Sequence, residues 1–402
     1  MVKNCCEELT ELLVHIYNLS FRQGIFPEKL KQSKVIPIFK KGDSAIMSNY
    51  RPISLTSPFG KILEKLMHKR LSSYFDKYKI LYEYQFGFRK SYSTSLAVLD
   101  VITMIENEIF NTNCVMGIFL DLQNVFDTVN IDILITKLEH YGIRGHMLNW
   151  FISYLKERTQ VTFVNGVYST MSKTVCGVPQ GTVLGPLLFL IYINDISKAT
   201  NLGKIRLFAD DSNLFIVSNN LQDLFSQAND ALQDLYMWLT SNKLSINLDK
   251  TNYMIFKPTS NINETINKYK LSIKINNLVL PRISSTKYLG IFIDEKLTWK
   301  EHISHLINKV KSLIGILYRR RHLLPPNCKR NIYFAIIYSS LVYGIEVYAN
   351  TYKSYLNPLI IKCNCLLRLV QNESRMRRVI DLYKTYNTLP VDLLFKLYIM
   401  KL

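Results

Sequence analysis

Acidic residues are scarce in this chain: 31 Asp and Glu stand against 50 Lys and Arg, leaving a formal charge of +19 on 402 residues. Glycine and proline are sparse too, at 15 and 12 copies, which excludes collagen-like, Gly/Ser-linker and Pro-rich low-complexity chains. Apolar residues make up 48% of the chain, too many for intrinsic disorder. The seven cysteines, Cys5, Cys6, Cys114, Cys176, Cys328, Cys363 and Cys365, are odd in number and unpatterned, so neither a disulfide framework nor a zinc module fits and reduced thiols are expected. Long apolar runs are missing. The two longest, over 183–193 and 332–345, fall short of the roughly eighteen residues of a membrane-spanning helix. Lys3, Glu7, Glu8 and Glu11 interrupt the first dozen residues, so no signal-peptide pattern is present and an intracellular protein without membrane attachment is expected. What is there is a basic chain long enough for two or three packed units, and its charge predicts a polyanionic partner.

The charge is unevenly spread. Residues 295–402 hold 18 Lys and Arg against 6 Asp and Glu, a net +12, and residues 1–294 carry the remaining +7. The basic clusters Arg319, Arg320, Arg321 and 375–378 lie among Tyr and Leu and suit a surface that tracks phosphates.

Apolar spacing predicts a helix over 7–26 closed by Pro27, a strand over 35–39 and a helix over 57–75. In the last, Ser57 caps, Pro58 takes the first turn, and Ile62, Leu63, Leu66, Met67 and Leu71 form one stripe. The middle third predicts a buried strand over 115–122, a helix over 130–140, and a hairpin around Asn165-Gly166. A Gly-rich turn over 177–181 then leads into an apolar helix. A second hairpin, 205–208 with 213–217, carries Asp210 and Asp211 at its tip, and a helix over 221–239 follows. This order predicts an α+β fold, an antiparallel sheet with helices packed on one side. After Asp294 the strand signals stop.

Asp121 ends the buried strand and Asp210 with Asp211 sits at a hairpin tip, so neighbouring strands would bring three carboxylates to one sheet edge. Close anions repel, and a cation relieves them. Mg²⁺ suits the task because it takes one or two carboxylates and completes its shell with water and substrate phosphate. Two such ions about 4 Å apart can activate a hydroxyl and steady a departing phosphoryl oxygen. An Asp-Asp pair at a turn is, alone, ordinary turn chemistry.

The surrounding residues decide the matter. Phe119-Leu120-Asp121-Leu122 with Phe126-Asp127-Thr128-Val129, then Gly177-Val178-Pro179-Gln180-Gly181-Thr182, then Phe208-Ala209-Asp210-Asp211, resemble the three palm motifs of reverse transcriptases. More narrowly the chain resembles those of non-LTR retrotransposons of the jockey-like LINE type. The flanks Asn49-Tyr50-Arg51-Pro52, Gln85-Phe86-Gly87-Phe88-Arg89, Asn242-Lys243-Leu244, Lys250-Thr251 and Lys287-Tyr288-Leu289-Gly290 agree, in unbroken order over about 20–294.

The resemblance implies a right-hand polymerase with fingers over 1–114, an antiparallel-sheet palm of ferredoxin or RRM type over 115–294 with interleaved finger elements, and a basic helical thumb over 295–402. It implies RNA as template, a DNA primer or target, dNTP as substrate and two Mg²⁺ ions, with Mn²⁺ a substitute. Asp121 and Asp210 would be the principal ligands and Asp211 would complete the acidic cluster. Phe126 stands where the family places the aromatic that excludes a 2′-hydroxyl, Gln180 where an amide touches nucleotide or template, and Arg51, Lys61 and Arg89 at finger positions that reach the triphosphate. Lys250 would be a general acid for pyrophosphate, and Tyr288 with Gly290 would belong to the primer grip. Each has a plain structural alternative: a core Phe, a loop turn, a salt bridge, a cap, a packed strand.

The chain departs from the family in having Gln123-Asn124-Val125 where a small or charged run is usual, and Phe208 where many members have Tyr. The endonuclease that such elements encode is expected elsewhere in the full element, and the family implies nuclear action. A decayed or co-opted copy that only binds nucleic acid is the alternative. A viral RNA-dependent RNA polymerase fits less well, because Phe126 predicts dNTP choice and Ala209 replaces a usual Gly.

Overall fold

In the computed structural model the described residues are 5–256, 262–320 and 322–401, so Arg321 lies outside them. The first helix, α1 (Cys6–Gln23), ends at Gly24 and not at Pro27: Gly24 takes φ +68, which only glycine adopts freely, and its N–H bonds the Ser20 carbonyl. β1 (Gln32–Phe39) and β2 (Tyr50–Thr56) form an antiparallel pair. In α2 (Pro58–Lys77) Pro58 opens the first turn, but the Ser57 side chain makes no capping hydrogen bond. Leu63, Met67, Leu71 and Phe75 are buried along α2, while Leu66, expected in that stripe, is exposed. α3 (Thr94–Phe110) is capped by Ser93, whose hydroxyl accepts from the Leu96 N–H at 3.1 Å.

The palm begins with β3 (Cys114–Leu120), followed by α4 (Val125–Thr128), α5 (Ile131–His140) and α6 (His146–Leu155). β4 (Thr159–Val164) and the short β5 (Val167–Tyr168) turn through Asn165 and Gly166, both at positive φ, the two-residue hairpin that this dipeptide predicts. This hairpin joins the β1–β2 sheet: β4 pairs in parallel with β1, and β6 (Ser172–Lys173) adds to its other edge. α7 (Gly185–Ile193), β7 (Lys204–Phe208), β8 (Asp211–Ser218), α8 (Leu221–Ser241) and β9 (Asn252–Phe256) complete the palm. Its sheet has the order β7-β8-β3-β9, antiparallel throughout.

Helices were expected on one side of this sheet, and they cover both. Met116, Ile118 and Leu120 of β3 pack with α5, α7 and α8. Val115, Phe215, Met254 and Phe256 pack with Val98, Val101 and Ile105 of α3 and with residues beyond Asp294. A strand buried on both faces reads as an unbroken apolar run, which is why 115–122 shows no alternation.

After α9 (Ile262–Tyr269) come two small hairpins, β10 (Lys274–Ile275) with β11 (Leu278–Val279) and β12 (Ser285–Tyr288) with β13 (Ile291–Asp294). Beyond Asp294 the described residues contain helices and no strands. The longest, α10 (Lys300–Arg319), packs against the helix Lys353–Val370 through Ile303, Leu306, Val310, Leu359 and Leu366. Fingers, four-stranded palm and helical thumb make this a right-hand polymerase fold.

Candidate active site at the edge of the palm sheet

The ladder between β3 and β8 pairs Phe119 with Asn213 and Leu120 with Ser212, so one step further sets Asp121 opposite Asp211. Phe208 pairs with Asp211, which leaves Ala209 and Asp210 as the two-residue turn. Asp211 is therefore the first residue of the strand and not part of the tip. Asp121, Asp210 and Asp211 thus meet at one end of the two central strands. Partial burial, and then the charges of Asp210 and Asp121, push the Asp211 carboxyl up to about 6.

The backbone of Asp121 is clamped from the turn that precedes β9. Its carbonyl accepts from the Asn247 N–H at 2.7 Å, its N–H donates to Thr251 Oγ1 at 3.4 Å, and Gln123 N–H bonds Ser245 O at 2.9 Å. Lys250, from the same turn, places its ammonium 3.2 Å from Asp121 Oδ2. The donor set suits a hard divalent cation, being all carboxylate oxygen under mutual repulsion. Among the described residues no three His, Cys, Asp or Glu side chains stand as a formed metal cluster. Holding an ion here requires Lys250 to yield Asp121.

The turn at Ala209 is itself unusual. Ala209 has φ +55, a region that costs a non-glycine residue about 1–3 kcal/mol and persists only where neighbours over-determine it. Asn124, just after Asp121, also has positive φ, at 44°, but asparagine is among the few residues that visit this region readily. The departure Gln123-Asn124-Val125 therefore suits the local backbone.

Phe126 lies on α4, half-buried, with its ring centroid 4.9 Å from Phe189 and 6.4 Å from Phe88. Gln180 donates from Nε2 to Asp127 Oδ2 at 3.0 Å, and its carbonyl accepts from Ser54 N–H at 2.7 Å, so this loop ties the end of the Asp121 segment to β2. Gly177 and Gly181 make that possible: both have positive φ, and a Cβ would meet Asp127 backbone at 2.8 Å or Ser54 O at 2.9 Å. Burial raises the Asp127 carboxyl, against the opposing effects of Gln180 and Lys40.

Arg51 is exposed on β2, opposite Ile38, and Lys61 is half-exposed on the first turns of α2. Arg89 is tied down: Nη1 donates to Tyr82 O at 2.9 Å and Gln85 O at 3.3 Å, and the guanidinium lies 4.3 Å over the Tyr92 ring. Tyr288 is buried at 4% exposure against Phe119, beside Asn213, whereas Lys287 and Gly290 on either side of it are exposed. Gly290 has φ +89, and Tyr343 from the thumb bonds the Leu289 carbonyl beside it.

Two residues that sequence reasoning passed over support this site. Glu64 of α2 is 1% exposed and accepts from the Val183 N–H at 2.6 Å and the Leu184 N–H at 3.3 Å, holding the start of α7. Burial raises its carboxyl, while those two N–H groups and Arg158, itself 2% exposed, oppose the rise. A Glu among the lysines of α2 reads as surface charge, and only its position on the Leu63 to Met67 side hints otherwise. The second is Gln85, whose Oε1 accepts from the N–H groups of Gly87 at 2.8 Å and Ala209 at 3.0 Å.

A carboxylate edge on a four-stranded antiparallel sheet, followed by a basic helical region, is the architecture of the right-hand polymerase fold class. The chain belongs to the reverse transcriptase (RNA-dependent DNA polymerase) family, whose family model matches residues 38–293. It is 30% identical over 375 residues to the RNA-directed DNA polymerase from mobile element jockey of Drosophila melanogaster, covering 90% of this chain and 40% of that protein. It is 28% identical over 398 residues to the probable RNA-directed DNA polymerase from transposon BS of the same organism, covering 94% and 42%. The chain thus spans about two-fifths of the length of these relatives, and they are of the non-LTR kind that the motifs resemble. Among solved structures, telomerase from Candida albicans in complex with a telomeric RNA fragment superposes with a TM-score of 0.48 at 12% identity, covering 94% of this chain and 70% of that one. The family uses divalent metal ions generally. Among the described residues no helix is long and apolar enough to cross a membrane.

Proposed function

We propose that this chain is the polymerase portion of a non-LTR retrotransposon protein and copies RNA into DNA by extending the 3′-hydroxyl of a DNA primer or nicked target with dNTP. The observation that carries this reading is the register that sets Asp121 opposite Asp211 and beside the Asp210 turn. Asp121 and Asp210 are the residues to hold two Mg²⁺ ions, or Mn²⁺ in their place, with Asp211 completing the cluster. Such ions, when bound, supply activation of the hydroxyl and neutralisation of phosphoryl charge.

The chain's own residues do the rest by positioning. Phe126, between Phe88 and Phe189, closes on the sugar and disfavours a 2′-hydroxyl. Gln180, held by Asp127, presents its loop to the base pair. Arg51 and Lys61 have free reach toward a triphosphate, whereas Arg89 serves best by fixing the 82–89 segment. Lys250 is within proton-transfer reach of the acidic edge as a general acid. Gly290 gives the β12–β13 turn the close approach that a primer strand needs, and Tyr288 supports that turn from beneath. An endonuclease activity belongs, on this reading, to another part of the element, and the work is done in the nucleus.

Primer extension on an RNA template with Mg²⁺ tests the proposal. Wild type should extend with dNTP, and Asp210→Asn should lose at least roughly 10²–10³-fold in rate, the usual cost of removing one electrostatic stabiliser. Binding without extension by wild type would instead support a copy that only holds nucleic acid.

A further inference from the structure

The turn that carries Asp210 has to hold an alanine at φ +55 while two carboxylates follow in succession. L residues seldom adopt that conformation, and repulsion between Asp210 and Asp211 gives the turn further reason to relax. Segment 84–87 opposes this. Tyr84 O accepts from Leu207 N–H at 3.0 Å and Phe86 N–H donates to Leu207 O at 2.8 Å, so the segment runs beside the end of β7 as a parallel bridge. From there Gln85 reaches the turn, its Oε1 bridging the N–H groups of Gly87 and Ala209. Gly87 lies so close to Ala209 that a Cβ on it would come within 3.0 Å of the Ala209 Cβ.

The side chain is there for its oxygen. Gln85 is 2% exposed, and its Nε2 is buried without a hydrogen-bond partner, a loss an apolar residue would avoid. We propose that Gln85 is a positioning residue that fixes the Ala209-Asp210 turn, and with it the direction of the acidic pair, by satisfying the Ala209 N–H in its left-handed conformation. Gly87 serves the same end by letting the backbone dock. The role rests on the reading of Asp210 and Asp211 as polymerase acids, but the brace itself can be measured without activity.

The test is Gln85→Met, similar in volume and lacking the amide oxygen, with only a weakly accepting sulfur, read by hydrogen–deuterium exchange of the metal-free protein and by primer extension. Exchange across 207–211 should rise by about tenfold or more while other palm segments stay unchanged, because the Ala209 N–H loses its partner. kcat should fall by about 10–100-fold with KM for dNTP altered less than about threefold, as expected when groups are misplaced and not removed. Adding Ala209→Gly should recover most of that kcat, since glycine takes positive φ freely. Unchanged exchange, unchanged kcat, or a double variant no better than Gln85→Met would each overturn the proposal. Should Gln85→Met fail to fold, Gln85→Asn, whose acceptor is withdrawn by one methylene, takes its place with the same criteria. A wild-type chain that extends no primer would refute the polymerase reading, and the exchange result would still decide the brace.

Discussion

Two side chains illustrate how much a single residue's surroundings matter here. Phe126 sits half-buried between two aromatic rings, an arrangement that serves a core residue and a sugar gate alike. The two roles part on substitution. Phe126→Val should admit ribonucleotides, measured as the ratio of kcat/KM for rNTP over dNTP rising by about tenfold or more, the worth of one apolar contact at a selective site; an unchanged ratio would assign Phe126 to the core alone. Asp211, raised from 3.8 to about 6 by burial and by Asp210 and Asp121, makes a pH prediction. Because the folded value lies above the unfolded one, the folded state holds more protons between about 4 and 6, and stability is lost as pH rises through that window. In EDTA, Asp211→Asn should therefore melt above wild type at pH 7, and the gap should close as pH falls below about 4. Differential scanning calorimetry across that range checks it, and Mg²⁺ at pH 7 should narrow the gap by stabilising wild type more than the variant.

Elements, unlike residues, are joined here by buried polar contacts that bridge fingers and palm. α2 contributes Glu64 to the Val183 and Leu184 N–H groups just ahead of α7, and β4 follows Arg158, whose positive charge acts on the same carboxyl. Removing the carboxyl leaves the Val183 and Leu184 N–H groups without their acceptor, at about 1–3 kcal/mol each. Glu64→Ala should cost about 2–5 kcal/mol in urea unfolding, against about 0.5 kcal/mol for exposed Glu changes elsewhere. A loss under about 1 kcal/mol would show that α7 does not depend on this staple. The same bridging explains which elements were legible beforehand. Helices α5 and α8 announce themselves by apolar period, and the structure returns them within two residues of the expected bounds, capped by the side chains of Asn130 and Asn220. The Asn165-Gly166 hairpin was equally plain, yet its parallel pairing with β1, more than a hundred residues away, has no local signal.

On the scale of the whole molecule, charge and topology divide the labour. Residues 295–402, which follow the palm strands, carry a net +12, so binding to an RNA–DNA hybrid should lose affinity on the order of 10³-fold between about 50 and 200 mM salt if six or more phosphates are contacted. Filter binding against salt concentration tests this, and a flat response would rule out a phosphate-dominated groove. Composition, element boundaries and the order of the acidic and glycine-rich segments were set by local chemistry, because period, caps and turn residues act over a few positions. That Leu66 faces solvent, that the palm sheet is buried on both faces, and that Glu64 and Gln85 turn inward to hold α7 and the Ala209 turn came only with the assembled chain. Each depends on what lies opposite across a packed interface, and an interface between segments a hundred residues apart is decided by the burial of the whole core and not by any stretch of it.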